Sequence, residues 1–181
     1  MFADNTLTPK ETVRLCALGT LALKASRYGD LANSIRHFIS RITGPSLDVM
    51  GVSIELLKCE GLVEVVKKTA NEEDAELIIT ESGYDELKSL LTAKVRPAAT
   101  EISKLVVALK FRFLHLLDRE ERSAQIELLI EMTENELTRL EDLQQHHLND
   151  QGYLVGWLDH DISMLETRLA WLENFQDQLS D

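Results

Sequence analysis

Apolar side chains recur along this chain first at helical spacing, then briefly as a strand-like run, and then at helical spacing again to the end. Val13, Leu15, Cys16, Leu18, Leu21, Ala22 and Ala25 predict a helix from about Lys10 to Ala25, dense enough to be buried on more than one side. Thr8 stands where an N-cap belongs, Pro9 suits the first helical position, and Glu11 completes a capping-box spacing. Ser26-Arg27-Tyr28-Gly29-Asp30 breaks that helix, and Leu31, Ile35, Phe38, Ile39 and Ile42 predict a second, over Asp30–Ile42. Thr43-Gly44-Pro45-Ser46 ends it, with Ser46 placed to cap a third helix that runs from Leu47 to Lys58 and stops at Gly61. Leu62–Lys68 is rich in β-branched residues, Thr69–Asp74 is a polar turn, and Ala75–Thr80 is the returning strand. A fourth helix follows from Glu81 to about Val95.

Two helices across a short turn, leading straight into a two-stranded hairpin, predict a winged helix-turn-helix. The third helix would then enter the major groove of double-stranded DNA while the hairpin, as the wing, lies on the backbone. Arg96-Pro97 interrupts the pattern, because a residue before proline is pushed out of helical geometry. It marks the expected boundary between a DNA-binding domain at 1–95 and a helical domain at 97–181. In that second part Ile102, Leu105, Val106, Leu109, Phe113, Leu116 and Leu117 form one stripe. Asp118 can cap the next helix, with Ile126, Ile130, Thr133, Leu137 and Leu140 along it. Residues 144–152 are the expected connection to a last helix bearing Leu154, Leu158, Ile162, Leu165, Leu169, Leu172 and Leu179, with Gln176 interrupting. Steps of three and four averaging near 3.5 indicate a coiled-coil seam, and two such helices joined by a short connection fold back as an antiparallel hairpin. The fold class expected is therefore mainly α with a small β-hairpin wing, plus a C-terminal antiparallel coiled coil.

One hairpin has too little surface to cover those stripes, and Trp157, Trp171, Phe111, Phe113 and Phe175 enlarge them. Burying each such side chain is worth about 1.5–3 kcal/mol, so a second copy of the chain is the expected cover. The residues expected at that homodimer contact are Leu137, Leu140, Leu154, Trp157, Leu158, Ile162, Leu165, Leu169, Trp171 and Leu172. The two tryptophans lie 14 residues apart and so share a helix face.

With 44% apolar and 28% charged residues, the 181-residue chain has the composition of a globular protein. No apolar run reaches the roughly 18 residues of a membrane span, and the N-terminus lacks the pattern of a secretory signal, so a cytoplasmic protein without a membrane partner is expected. Cys16 and Cys59 sit inside helical apolar patterns and read as core thiols. The net charge of −12 disfavours a polyanion partner, but its distribution matters more. Residues 1–95 carry 11 basic and 14 acidic side chains, whereas residues 96–181 carry 8 and 17.

The order of elements resembles the PadR-like family of winged-helix transcriptional regulators, including its AphA-like virulence-activator branch, over nearly the whole chain. Ile54-Glu55-Leu56-Leu57-Lys58-Cys59-Glu60-Gly61-Leu62-Val63 is similar to the family's run before the wing. Leu77-Ile78-Ile79-Thr80-Glu81-Ser82-Gly83-Tyr84-Asp85-Glu86-Leu87 resembles its strand-to-helix signature, and Leu165–Glu173 its dimerisation helices. The resemblance implies a homodimeric DNA-binding regulator. The chain departs from the family at Gly51 and Val52, where a tyrosine and a proline usually open the recognition helix.

Candidate DNA contacts are Arg36 and Arg41 on or beyond helix two, Ser46, Ser53 and Lys58 around helix three, and Lys67 and Lys68 at the base of the wing. Helix three has no Arg or Lys between Leu47 and Leu57, and the wing's turn is Asn71-Glu72-Glu73-Asp74. Both features suit an alternative: an adaptor that keeps the winged helix for protein contacts and does not bind DNA directly. His146, His147 and Asp150 form no metal-ligand spacing, no catalytic arrangement or cofactor motif stands out, and an enzyme is not expected. An effector, small molecule or protein, would act by changing the spacing of the two heads.

Overall fold

The computed structural model describes residues 6–43, 51–67, 74–96 and 100–180, without the side chains of residues 51–53, 67 and 180. It holds α1 (Pro9–Leu23), β1 (Ser26–Arg27), α2 (Tyr28–Thr43), α3 (Gly51–Cys59), β2 (Val63–Lys67), β3 (Glu76–Ile79), α4 (Glu81–Thr92), α5 (Glu101–Phe113), α6 (Arg119–His146) and α7 (Leu154–Ser180). A single 3₁₀ turn at Leu114–Leu116 follows α5. The fold is mainly α with a small antiparallel sheet, as the hydrophobic pattern predicts.

The chain separates into two compact units, Met1–Leu116 and Leu117–Asp181. The division falls about twenty residues beyond the Arg96-Pro97 break, because α5 packs against α1 and α2 in the first unit. The ring of Phe113 occupies the space where a Cβ on Gly19 would stand, 2.5 Å from its nearest atom. The Arg112 guanidinium lies 4.5 Å from the Phe38 ring centroid, which ties α5 to α2 as well.

In the first unit α1 is the central element. From Thr12 to Leu21 every side chain but Arg14 is buried, and the helix packs against α2, α3, α4, α5 and β3. Its start is the expected capping box: the Thr8 hydroxyl accepts from the Glu11 amide, and the Glu11 carboxylate accepts from the Thr8 amide at 2.7 Å. Buried hydroxyls find partners one turn back, Thr12 donating to the Thr8 carbonyl and Thr20 to the Cys16 carbonyl. Cys16 is fully buried, and burial pushes its thiol up to about 11, so it stays protonated despite the Arg112 guanidinium 3.9 Å away.

The sheet has the order β1-β3-β2, all antiparallel. Ser26 pairs with Leu77 and Arg27 with Glu76, so the segment that ends α1 also supplies a short third strand. The wing itself is β2–β3, with Val63 opposite Ile79 and Val65 opposite Leu77. Beyond Val65 the register shifts, which leaves Val66 as the extra residue of a bulge and 53% exposed.

The second unit is a helical hairpin. Asp118 caps α6 as expected, in a capping box with Glu121. Gln144 donates to Asp159 and Gln176 to Glu127, two cross-links whose residue numbers add to the same total, which fixes an antiparallel register. The leucine seam of α7 is buried in this unit at Leu158, Ile162, Leu165 and Leu172, and α6 buries Ile126, Leu129 and Thr133.

Candidate nucleic-acid interface

The helix-turn-helix pair and its wing come from α2, α3 and β2–β3. Leu31, Ile35 and Ile39 bury one side of α2. Those positions turn Arg36, His37 and Arg41 outward, where all three are exposed. Arg36 donates to Asn33 Oδ1 at 2.9 Å, which steadies its guanidinium on the same face. Arg36 and Arg41 are both exposed but emerge about 140° apart, on the two flanks of the outward side of α2. His37 joins them. The helical spacing of residues 33, 37 and 41 carries that signal in the sequence.

The recognition helix is held by its C-terminal end. Gly61 has φ of 73°, the left-handed conformation glycine adopts most readily. Its amide donates to the Lys58 carbonyl, and the Leu62 amide reaches back to the Leu57 carbonyl, a Schellman stop. The Thr80 hydroxyl donates to the Gly61 carbonyl at 2.7 Å and accepts from the Gly83 amide, so one side chain joins the end of α3 to the start of α4. Arg14 supplies a second clamp. Its guanidinium meets Glu60 at 2.7 Å and Glu86 at 3.0 Å. Burial works against that charge, yet the two carboxylates outweigh it and hold the guanidinium's pKa above its ordinary value.

The outward side of α3 is neutral to acidic: Glu55, Leu56 and Cys59 are exposed, while Ile54 and Leu57 are buried. Lys58 is half-buried and paired along its own helix. Its ammonium contacts both carboxylate oxygens of Glu55, at 3.0 and 3.2 Å, and lies 5.9 Å from the Tyr28 ring centroid. Ser46 and Lys68 lie outside the described residues. Ser53 lies in α3 and Lys67 in β2, with side chains that are likewise outside the description.

The acidity of the chain is segregated. Residues 1–116 carry 15 basic and 15 acidic side chains, whereas residues 117–181 carry 4 and 16. The whole net charge of −12 therefore resides in the hairpin and none in the unit that bears the candidate interface. Of the residues expected at a dimer contact, Leu158, Ile162, Leu165 and Leu172 are buried within the single chain. Leu137, Leu140, Leu154 and Leu169 are half-buried, and Trp157 and Trp171 are exposed at 54% and 51%. Among the described residues no cluster of histidine, cysteine and carboxylate side chains could hold a metal, and no helix is long and apolar enough to cross a membrane.

No curated protein matches the chain. Among solved structures it is similar to Bacillus subtilis PadR in complex with operator DNA, at 18% identity and a TM-score of 0.40, over 95% of this chain and 99% of that one. It is also similar to Bacillus subtilis PadR in complex with p-coumaric acid, at 18% identity and a TM-score of 0.39, over 97% and 99%. The family model for putative AphA-like transcriptional regulators matches residues 2–176, and with nearly its whole length so matched the chain belongs to that family of transcriptional regulators.

Proposed function

We propose that the protein is a cytoplasmic, homodimeric DNA-binding transcriptional regulator, with α3 presented to the major groove and β2–β3 resting on the backbone. The observation that carries this reading is the α2–α3–β2–β3 order in a chain of this family, with Arg36 and Arg41 both exposed on α2. Because both units of charge sit on α2 rather than on α3, phosphate contacts would supply most of the affinity, and α3 would discriminate through apolar and short polar side chains. Two copies joined through their hairpins would place two heads on one pseudo-palindromic site. An effector would act on that pairing.

The test is gel retardation of the DNA upstream of the protein's own gene across salt concentrations. Binding should weaken steeply with salt, and Arg36→Ala with Arg41→Ala should weaken it further on every sequence tested. The neutral-to-acidic outward face of α3, with Lys58 held by Glu55, favours a second reading as a protein-interaction adaptor. Absence of any shift at low salt would select that reading.

A further inference from the structure

Helix α3 sorts its side chains around its axis. Ile54 and Leu57 are 1% and 0% exposed and set its inner side. At 3.6 residues per turn Glu55, Cys59 and Leu56 emerge within about 50° of the line opposite that side. All three are exposed. Glu55 and Leu56 take opposite edges of this outward strip, and half-buried Lys58 lies beside Glu55. The strip therefore has a charged edge and an apolar edge.

The charged edge is a preformed pair. The Lys58 ammonium sits 3.0 and 3.2 Å from the two Glu55 carboxylate oxygens, with the Tyr28 ring on another side of it. A carboxylate has about four acceptor sites and an ammonium has three donors, so the pair keeps an acceptor and a donor for an outside ligand. Its net charge is zero. A lone carboxylate would be repelled by the phosphates that line a groove, whereas the pair brings a hydrogen-bonding pattern without that repulsion.

Base edges in the major groove carry complementary patterns. A G·C pair presents guanine N7 and O6 as neighbouring acceptors, followed by the cytosine N4 amino group as a donor. An ammonium and a carboxylate side by side match that order. In an A·T pair the adenine amino group stands between two acceptors, N7 and the thymine O4. Whichever of these the ammonium covers, the other faces the carboxylate. The fit is with G·C. On the opposite edge Leu56 neither donates nor accepts, and the apolar group this groove offers is the thymine methyl. Consecutive Cα atoms are about 3.8 Å apart, close to the roughly 3.4 Å between base pairs, so that thymine falls within about two base pairs of the cytosine.

We infer that α3 reads a G·C base pair through Glu55 and Lys58, the carboxylate accepting from the cytosine amino group and the ammonium donating to guanine, and reads a nearby thymine through Leu56. This assignment rests on the DNA-binding reading above and gives the operator half-site part of its sequence.

The test is selection of binding sites from random duplex DNA by the full chain, followed by gel retardation on the selected site at one salt concentration. The half-site selected by wild type should contain a G·C pair and a thymine within about two base pairs of it. Glutamine keeps the size of Glu55 and makes paired hydrogen bonds to adenine N6 and N7, so Glu55→Gln should select A·T at that position. The measured quantity is the ratio of affinities for the two sites, because removing a carboxylate raises binding to every sequence alike. Wild type should favour the G·C site about tenfold or more, and the variant should favour the A·T site. Exchanging the thymine for deoxyuridine removes one methyl group, which should cost wild type about fourfold and Leu56→Ala almost nothing. A selected half-site without the G·C pair, an unchanged preference in Glu55→Gln, or a methyl loss felt equally by Leu56→Ala would overturn the inference while DNA binding stands. No DNA bound by wild type even at low salt would overturn the DNA-binding reading and this inference with it.

Discussion

Two charged side chains in the first unit show how burial sets their behaviour. Lys110, on α5, is 1% exposed and its ammonium donates to the Leu91 carbonyl in the last turn of α4, one of the carbonyls a helix end leaves without an internal partner. Burial pushes its pKa down to about 8 from 10.5. The unfolded chain releases that proton near pH 10.5 and the folded chain near pH 8, so between those values the unfolded state binds more protons. Stability from this group is accordingly lowest below pH 8 and rises as the pH climbs toward 10.5. Lys110→Met abolishes the effect. Urea unfolding should show the stability difference, wild type minus variant, growing in favour of wild type by about 3 kcal/mol across that window. A difference independent of pH would show that the amine is not buried as the structure has it. Arg14 behaves in the opposite sense, because two carboxylates surround it. Arg14→Met should cost about 1–2 kcal/mol, discounted for its 20% exposure. Arg14→Lys should recover little of that, since one ammonium cannot span both carboxylates as the guanidinium fork does. Chemical denaturation of both variants measures the two values.

At the scale of elements, tight spots lie where α3, α4 and α5 meet the rest of the head. A Cβ on Gly83 would stand 2.2 Å from the Leu62 carbonyl oxygen, a backbone atom that cannot swing aside. One on Gly19 would meet the Phe113 ring, a side chain rather than backbone. Gly83→Ala should therefore be the more damaging exchange, at about 3 kcal/mol against about 1–2 kcal/mol for Gly19→Ala, in thermal unfolding. The reverse order would mean that α4 can slide off the wing more easily than α5 can release α1. These contacts also explain what was legible beforehand. Thr8, Gly61 and Asp118 announce helix ends because capping depends on the residue itself and its immediate neighbours. Ser26 and Arg27 carry no strand signal; they are a strand only because β3 offers an open edge. The placement of α5 with the head depends on Gly19 meeting Phe113 across 94 residues, a match that no local spacing encodes. Likewise a leucine repeat looks the same whether its own chain or another covers it. The buried seam of α7 and its exposed tryptophans separate only once α6 is in place.

For the molecule as a whole, the segregation of charge would tie the proposed dimerisation to DNA binding. A head with no net charge gains little from general attraction to a polyanion. In the proposed homodimer, affinity would come from having two heads on one site, where the second binds at the effective concentration set by the first. In the proposed dimer the acidic hairpin would work against nonspecific sliding onto DNA and would also repel its own copy, so added salt would have opposing effects. It weakens contact between head and phosphate while screening repulsion between hairpins. A variant with Trp157→Glu and Trp171→Glu separates the two effects, because both positions are half-exposed and the hairpin seam does not use them. Its operator affinity should fall about 10²–10⁴-fold, the usual contribution of bivalency. The slope of log affinity against log salt should also drop to about half, since a single head releases half the counterions. Retardation titrations at several salt concentrations supply both numbers. A lost affinity with an unchanged slope would mean that the substitutions had damaged the heads themselves rather than the pairing that brings two of them to one site.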